Sequence, residues 1–302
     1  MRYGFIGLGN LGAHLAMSLR RGGFSVTVSD LDQQAAEPLL AVGASWAATP
    51  RAVAEASDAV ITCLPSPKAS EAVLTGPSGI LAGLKKGGAW IEMSTLGRDE
   101  TLRLAAIARE AGIETLEAPV TGGVHLAAHG KITVLAGGDE ALFEAHRPAL
   151  AVMGGKIFHM GPLGSAAVIK VITNMLAFIH LQADAEALML AKRAGLDLGQ
   201  AWHAITASSG TSFVHETEGQ LILNGSYDIG FTMDLTLKDI GFAMGFGREF
   251  GVPLELAGLT EQIFKRGKQV YGGAAQSTQI AKLLEEALGT DLRADGFPAK
   301  LG

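Results

Sequence analysis

The chain begins Tyr3-Gly4-Phe5-Ile6-Gly7-Leu8-Gly9-Asn10-Leu11-Gly12, an apolar run that breaks into G-x-G-x-x-G and continues into the helix-like Ala13-His14-Leu15-Ala16-Met17-Ser18-Leu19. That order, strand then glycines then helix, restricts the fold more than the glycines alone. Gly7 permits a tight turn, Gly9 lets the backbone approach a pyrophosphate, and Gly12 lets the helix pack close to the strand. Free N–H groups at the helix start, with Leu8, Asn10 and Leu11 completing the loop, would then face the phosphates. A second β-branched run, Val26-Thr27-Val28-Ser29, ends at Asp30, where a dinucleotide fold places an acid against the ribose hydroxyls. Asp30 also stands where it could cap a helix starting near Asp32. Methyl-donor folds use a glycine loop and a later acid too, but the glycine spacing here favours a dinucleotide.

With 302 residues, the chain fits two domains. The net charge of −6 with scattered basic residues points away from nucleic-acid and anionic-membrane partners, so an anionic substrate has to be captured by local groups. Cys63 is the only cysteine, which excludes an intrachain disulfide and a multi-cysteine metal site and suits a reducing, cytoplasmic setting. The N-terminus lacks the layout of a signal peptide. The most apolar stretch, Ser165 to Ala191, carries Lys170, Asn174, His180, Gln182, Asp184 and Glu186, too many polar groups for a membrane span.

Up to about residue 160, strand-like runs alternate with helical patterns, which predicts an α/β dinucleotide-binding domain with a doubly wound, mostly parallel sheet over residues 1–162. The expected strands are Tyr3–Gly7, Ser25–Ser29, Ala59–Leu64, Ala89–Met93, Glu114–Glu117, Ile132–Ala136 and Lys156–His159. The loop Pro65-Ser66-Pro67 should lie at the carboxyl edge of the sheet, where ligands bind, with Cys63 a small buried hydrophobe beside it. After Gly161-Pro162-Leu163-Gly164 the alternation stops. A long amphipathic helix from Ser165 to Ala194, ended by Gly195, would reach on the order of 45 Å and lead into an all-helical domain over residues 163–302. Residues 289–302 show no periodicity and are expected to form a tail or arm.

Three segments fall outside scaffold logic. In Glu117-Ala118-Pro119-Val120-Thr121-Gly122-Gly123, backbone N–H groups and the Thr121 hydroxyl could form an anion nest suited to a carboxylate, or an ordinary loop. Lys170 and Asn174 share one face of the long helix. Lys170, amid apolar neighbours, could snorkel to water or, if partly buried, have its pKa lowered for proton transfer. The third segment, Thr236-Leu237-Lys238-Asp239-Ile240-Gly241-Phe242-Ala243, holds a Lys238-Asp239 pair that a solvated helix face would also explain.

In order, the glycine fingerprint, A-P-V-[ST]-G-G, K-x-x-x-N and K-D-[IL]-x-x-A resemble the β-hydroxyacid dehydrogenase family, over about residues 3–270. The resemblance implies that Lys170 is the general acid/base, that Thr121, Gly122 and Gly123 hold a substrate carboxylate, and that Asn174 contacts the substrate. It places Leu64, Pro65 and Thr95 beside the cofactor, Lys238 near the nicotinamide, and Asp239 in support. It also implies that the helical domain closes the site and that the chain forms a homodimer or homotetramer.

The sequence departs from the family pattern at Leu11, Leu15 and Ser18 in the first motif. Thr121 replaces the commoner serine, and the next loop carries His125, His129 and Lys131. The two histidines have the spacing of a zinc helix but lack the acid after the first, so no metal site is expected. The expected reaction is reversible hydride transfer between a nicotinamide and a short 3-hydroxy acid, with NAD(H) favoured over NADP(H) because Asp30 would repel a 2′-phosphate. An imine reductase on the same plan, or a non-catalytic dinucleotide sensor, is the alternative.

Overall fold

The computed structural model describes residues 1–302, which divide into two compact units, Met1–Lys170 and Val171–Gly302. In the first unit the chain runs β1 (Arg2–Ile6), α1 (Gly12–Arg21), β2 (Ser25–Ser29), α2 (Glu37–Ala41), β3 (Ser45–Trp46), α3 (Pro50–Glu55), β4 (Ala59–Thr62), α4 (Pro67–Thr75), β5 (Ala89–Glu92), α5 (Arg98–Glu110) and β6 (Glu114–Glu117). These strands form a six-stranded sheet in the order β3-β2-β1-β4-β5-β6, every pair parallel. The order reverses between β1 and β4, which opens a crevice at the carboxyl ends of those two strands.

Both faces of the sheet are covered, so the strands read as continuous apolar runs. Successive residues point to opposite sides. Phe5, Ile61 and Ile91 enter one core with Leu15 and Leu19 of α1, while Ile6, Val60 and Trp90 enter the other with Leu74 of α4 and Leu104 of α5. Thr49 and Ser66 cap α3 and α4 through their hydroxyls, each with proline at the start of the helix.

After β6 come β7 (Val120–Thr121), α6 (Val124–Ala128), β8 (Ile132–Ala136), α7 (Glu140–Met153) and β9 (Gly154–His159). The sequence predicted β8 and β9 as further strands of one sheet; they instead form a separate three-stranded sheet with β7, which is antiparallel to β8. The reason lies at the end of β6. The Glu117 N–H and C=O both pair with Gly137 in an antiparallel bridge, at 3.0 and 2.9 Å, so the bonds a seventh parallel strand would need there are already taken.

The helix α8 (Ser165–Arg193) runs from the first unit into the second, and Gly195 follows it with φ +80°. Its length and composition would suffice to cross a membrane, yet Phe178, Leu181, Ala185, Leu188 and Met189 enter the core of the second unit. There follow α9 (Leu198–Thr206), α10 (Phe213–Asn224), α11 (Met233–Phe250), α12 (Glu255–Tyr271) and α13 (Lys282–Leu288). The breaks fall at the expected Ser208-Ser209-Gly210, Asn224-Gly225-Ser226 and Gly251-Val252-Pro253.

The expected tail or arm lies against its own unit. Residues 290–302 contain no helix or strand, but they are docked on the second unit. Leu292 is fully buried, the Ala294 N–H donates to the Leu223 carbonyl, and Phe297 packs edge-on to Trp202. Arg293 donates to Glu285 and to the Tyr227 hydroxyl, which itself donates to Glu285 at 2.6 Å. Aperiodic sequence therefore conceals a segment held by individual side chains.

Candidate active site

At the crevice between β1 and β4, the three glycines of the first motif meet different surroundings. A Cβ on Gly7 (φ +99°) would lie 2.3 Å from the Cys63 carbonyl oxygen, and one on Gly12 would lie 2.0 Å from the Gly7 carbonyl oxygen. Both positions require glycine because backbone occupies the space. Gly9 is the opposite case: nothing lies within 4 Å of where its Cβ would be. Its side is open, as backbone approach to a pyrophosphate demands, and α1 starts without a side-chain cap.

Asp30 sits at the carboxyl end of β2, in the next-door position. One carboxylate oxygen accepts the Leu8 N–H at 2.5 Å and the other the Asp32 N–H at 2.9 Å. The acid thus ties the glycine loop to β2, while each oxygen keeps a second lone pair for a ribose hydroxyl. The cap of the following turn is Asp32, whose side chain accepts the Gln34 N–H, so that alternative for Asp30 is removed. Asn10 is exposed, and Leu11 is half-buried against the core. These residues fit a dinucleotide.

The carboxyl ends of β4 and β5 are fixed to each other. The Leu64 N–H donates to Ser94 Oγ at 2.8 Å, and the Ser94 N–H donates to Glu92 Oε1 at 2.7 Å. Pro65 is exposed on this edge and Thr95 half-buried. Burial pushes the Glu92 carboxyl up, against the hydrogen bonds of Ser94, Ser70 and Thr62. Burial likewise pushes the Cys63 thiol up to about 12, with Glu92 adding to the effect and Lys170 opposing it. A thiol held protonated is a poor nucleophile, in keeping with the expected inert role.

Thr121 ends β7, and Gly122 and Gly123 follow with φ of +120° and +88°, leading into α6. Positive φ at two consecutive positions is a course that side chains resist, which accounts for glycine at both. The His125 ring packs 3.2 Å from the Cβ position of Gly123, and burial together with His129 lowers its pKa. His129 Nδ1 lies 2.9 Å from the His125 carbonyl oxygen, and Lys131 is exposed.

Lys170 is only 7% exposed, so it does not snorkel to open solvent. The start of its helix is held by Glu117, at the end of β6. One Glu117 oxygen accepts the Ala166 N–H at 2.9 Å and the other the Ala167 N–H at 3.0 Å. The sequence alone gives Glu117 no role, because its partners lie 49 and 50 residues along the chain. The only local signal was an acid at the strand end before Ala118-Pro119.

In the second unit, Asn174 of α8 donates through Nδ2 to Asp239 Oδ2 at 2.6 Å, and the other Asp239 oxygen pairs with Lys238 Nζ at 2.9 Å. Asp239 is buried, so this is no solvated surface pair. Lys238 also lies over the Phe242 ring at 5.4 Å. The first unit therefore holds the glycine loop, Asp30, Leu64, Pro65, Thr95, the Thr121-Gly122-Gly123 turn and Lys170. The second gathers Asn174 and Lys238 around the Asp239 carboxylate.

Two family models cover most of the chain: the NAD-binding domain of 6-phosphogluconate dehydrogenase over residues 2–161, and the NAD-binding domain of NADP-dependent 3-hydroxyisobutyrate dehydrogenase over residues 164–284. The chain is 35% identical to 2-(hydroxymethyl)glutarate dehydrogenase of Eubacterium barkeri, covering 97% of each protein. It is 30% identical to 2-hydroxy-3-oxopropionate reductase of Escherichia coli K12, over 94% of this chain and 97% of that one. A crystal structure of 3-hydroxyisobutyrate dehydrogenase from Salmonella typhimurium superposes with a TM-score of 0.87 at 30% identity, covering 94% of this chain and 99% of that one. Imine reductases share the architecture at 18–19% identity, a likeness of fold alone. An NAD(P)-binding sheet, a helical unit entered through the lysine-bearing helix, and relatives matched almost end to end agree: the chain belongs to the β-hydroxyacid dehydrogenase family.

Proposed function

We propose that this protein oxidises a short 3-hydroxy acid to the corresponding semialdehyde or 3-oxo acid, and runs the reverse reduction, with Lys170 as the general acid/base. The observation that carries the reading is a buried lysine on α8, one turn beyond the helix start that Glu117 ties to the carboxyl end of β6. A bound nicotinamide supplies the hydride acceptor or donor. In oxidation, the neutral Lys170 amine takes the hydroxyl proton. In reduction, its ammonium form polarises the carbonyl oxygen and then protonates it. The Thr121 hydroxyl and the N–H groups of Gly122 and Gly123 hold the substrate carboxylate, and that grip sets which carbon faces the cofactor. Asn174 orients the substrate hydroxyl, its own amide being fixed by Asp239. Asp239 holds the Lys238 ammonium, the group that the family resemblance would assign to the nicotinamide.

NAD(H) is preferred over NADP(H), because Asp30 accepts ribose hydroxyls but repels a 2′-phosphate, and Leu31-Asp32-Gln33-Gln34 offer no arginine. The substrates are small carboxylates such as 3-hydroxyisobutyrate, 3-hydroxypropionate, glycerate or threonate. The relatives named above act on 2-(hydroxymethyl)glutarate and 2-hydroxy-3-oxopropionate, which carry the same carboxylate and nearby oxygen function.

The test is Lys170→Ala. Proton transfer by a positioned side chain is worth about 10²–10⁴-fold, so kcat should fall by that factor while the dissociation constant for NADH stays near its starting value. Lys170→Arg should fail as well, since guanidinium does not give up its proton near neutral pH. Wild-type turnover in Lys170→Ala would remove the mechanism.

A further inference from the structure

We propose that Glu117 is the positioning residue for Lys170, an inference that rests on the acid/base reading above. Glu117 is 1% exposed, and its carboxylate lies across the first turn of α8, accepting N–H bonds from Ala166 and Ala167. Lys170 follows Ala166 by four residues, so it projects from the same face one turn further on. Whatever fixes the first turn fixes the root of the lysine.

The carboxylate is itself held from behind. The Glu117 N–H and C=O are both bonded to Gly137, and a Cβ on Gly137 would lie 2.3 Å from Glu117 Oε1. That glycine makes room for the acid, and the strand end can neither slide nor twist away from the helix. The next residue is tied to β5, through the Ala118 N–H and the Glu92 carbonyl at 2.7 Å. One short segment therefore anchors the lysine helix at Glu117 and, a few residues on, presents the Thr121-Gly122-Gly123 turn. The proton-transfer group and the carboxylate grip share a single rigid mount within the first unit.

The chemistry of the contact explains why an acid is needed. Every donor facing the side chain is an N–H, so both oxygens must accept. Glutamine has the same size but would turn an NH2 toward an N–H on one side. The first turn of α8 must then shift to relieve that contact, and Lys170 moves with it.

The experiment compares Glu117→Gln in the wild-type and Lys170→Ala backgrounds, measuring kcat with the best hydroxy acid, the dissociation constant for NADH and the melting temperature. Misplacing a catalytic group by about 1 Å costs up to about a hundredfold, so Glu117→Gln should lower kcat by about tenfold to a hundredfold with NADH affinity unchanged. In the Lys170→Ala background the same substitution should lower kcat by less than about twofold, because no positioned group is left to lose.

An equal loss in both backgrounds, or none in the wild type, overturns the assignment. If Glu117→Gln fails to fold, Gly137→Ala presses on the same carboxylate from its other side and leaves the charge in place; it should lower kcat in the same background-dependent way, and an unaltered kcat overturns the assignment. Full turnover in Lys170→Ala alone would mark the acid/base reading as the failure, and this assignment would fall with it.

Discussion

The glycine loop after β1 and the polar cluster around Asp239 prepare a site by opposite means. In the loop, function comes from side chains that are missing: backbone excludes a Cβ at Gly7 and Gly12, and the space above Gly9 is open. In the helical unit it comes from side chains brought together across helices, as when Asn174 of α8 and Lys238 of α11 meet on one buried carboxylate. A site made of backbone is written in ten consecutive residues. One made of side chains is written in contacts, and depends on buried charge remaining paired.

The largest effect expected from that contrast concerns a second buried pair in the helical unit. His215 of α10 is buried, with Nδ1 against Asp184 of α8 and Nε2 3.0 Å from the Trp202 carbonyl oxygen. Both partners are acceptors, so the ring must donate twice and is an imidazolium. Burial pulls its pKa down, but the bonds to Asp184 and the Trp202 carbonyl, with the charges of Asp184 and Glu216, raise it overall. Removing one partner of a buried pair costs about 3–5 kcal/mol, so Asp184→Ala should lower the denaturant midpoint by that equivalent.

The same pair sets a pH dependence. A raised histidine pKa gives stability that is complete below about 6.5 and lost as pH rises through the folded value. Glu218 acts in the same direction, its carboxyl being raised from 4.5 to about 7 by burial and by Asp184. The folded state holds extra protons at both groups, so their contribution to stability declines as pH rises, while His125 and His146, whose pKa values burial lowers, contribute with the opposite sign. His215→Gln should flatten the upper part of that decline. A pH profile of stability that His215→Gln leaves unchanged would contradict the paired state described here.

A smaller effect should appear in the loop, and there binding should change without stability. Gly9→Val has room for its side chain in the folded protein, so the melting temperature should hold, while NADH affinity falls by about tenfold or more because the pyrophosphate loses its approach. Gly12→Ala should instead compromise the fold, since backbone stands in the way. If Gly9→Val bound NADH normally, the open space would have another purpose.

Smallest is the cofactor preference. Asp30→Ala removes the repulsion toward a 2′-phosphate but also the acceptor of the Leu8 N–H, so kcat/KM should fall with both cofactors and the ratio between them should narrow. An unchanged ratio would separate Asp30 from cofactor choice and leave it the loop-fixing role alone.

What the sequence disclosed follows the same division. The strand, glycines, helix and acid of the first thirty residues could be read because local sterics dictate them. The long helix and its glycine stop could be read from apolar periodicity. β3 and β7 could not, since two-residue strands carry no period. β8 was recognised as a strand but given the wrong sheet, because alternation reveals burial and says nothing about which edge is free. The docking of residues 290–302 depends on Leu292, Arg293 and Phe297 finding remote partners, and Glu117 meets α8 forty-nine residues away. Such contacts leave no pattern in a single chain.

The central claim is that this architecture transfers hydride to and from the 3-position of a short carboxylic acid. The direct measurement is NADH formation, followed by absorbance, when the purified protein is given NAD+ and a panel of 3-hydroxy acids beside their 2-hydroxy isomers, with cyclic imines and NADH or NADPH run in reverse. The account predicts turnover of at least one 3-hydroxy acid, faster than its 2-hydroxy isomer, and none of the imines. Reduction of the imines alone, or tight NADH binding with no turnover of any acid or semialdehyde, would contradict it.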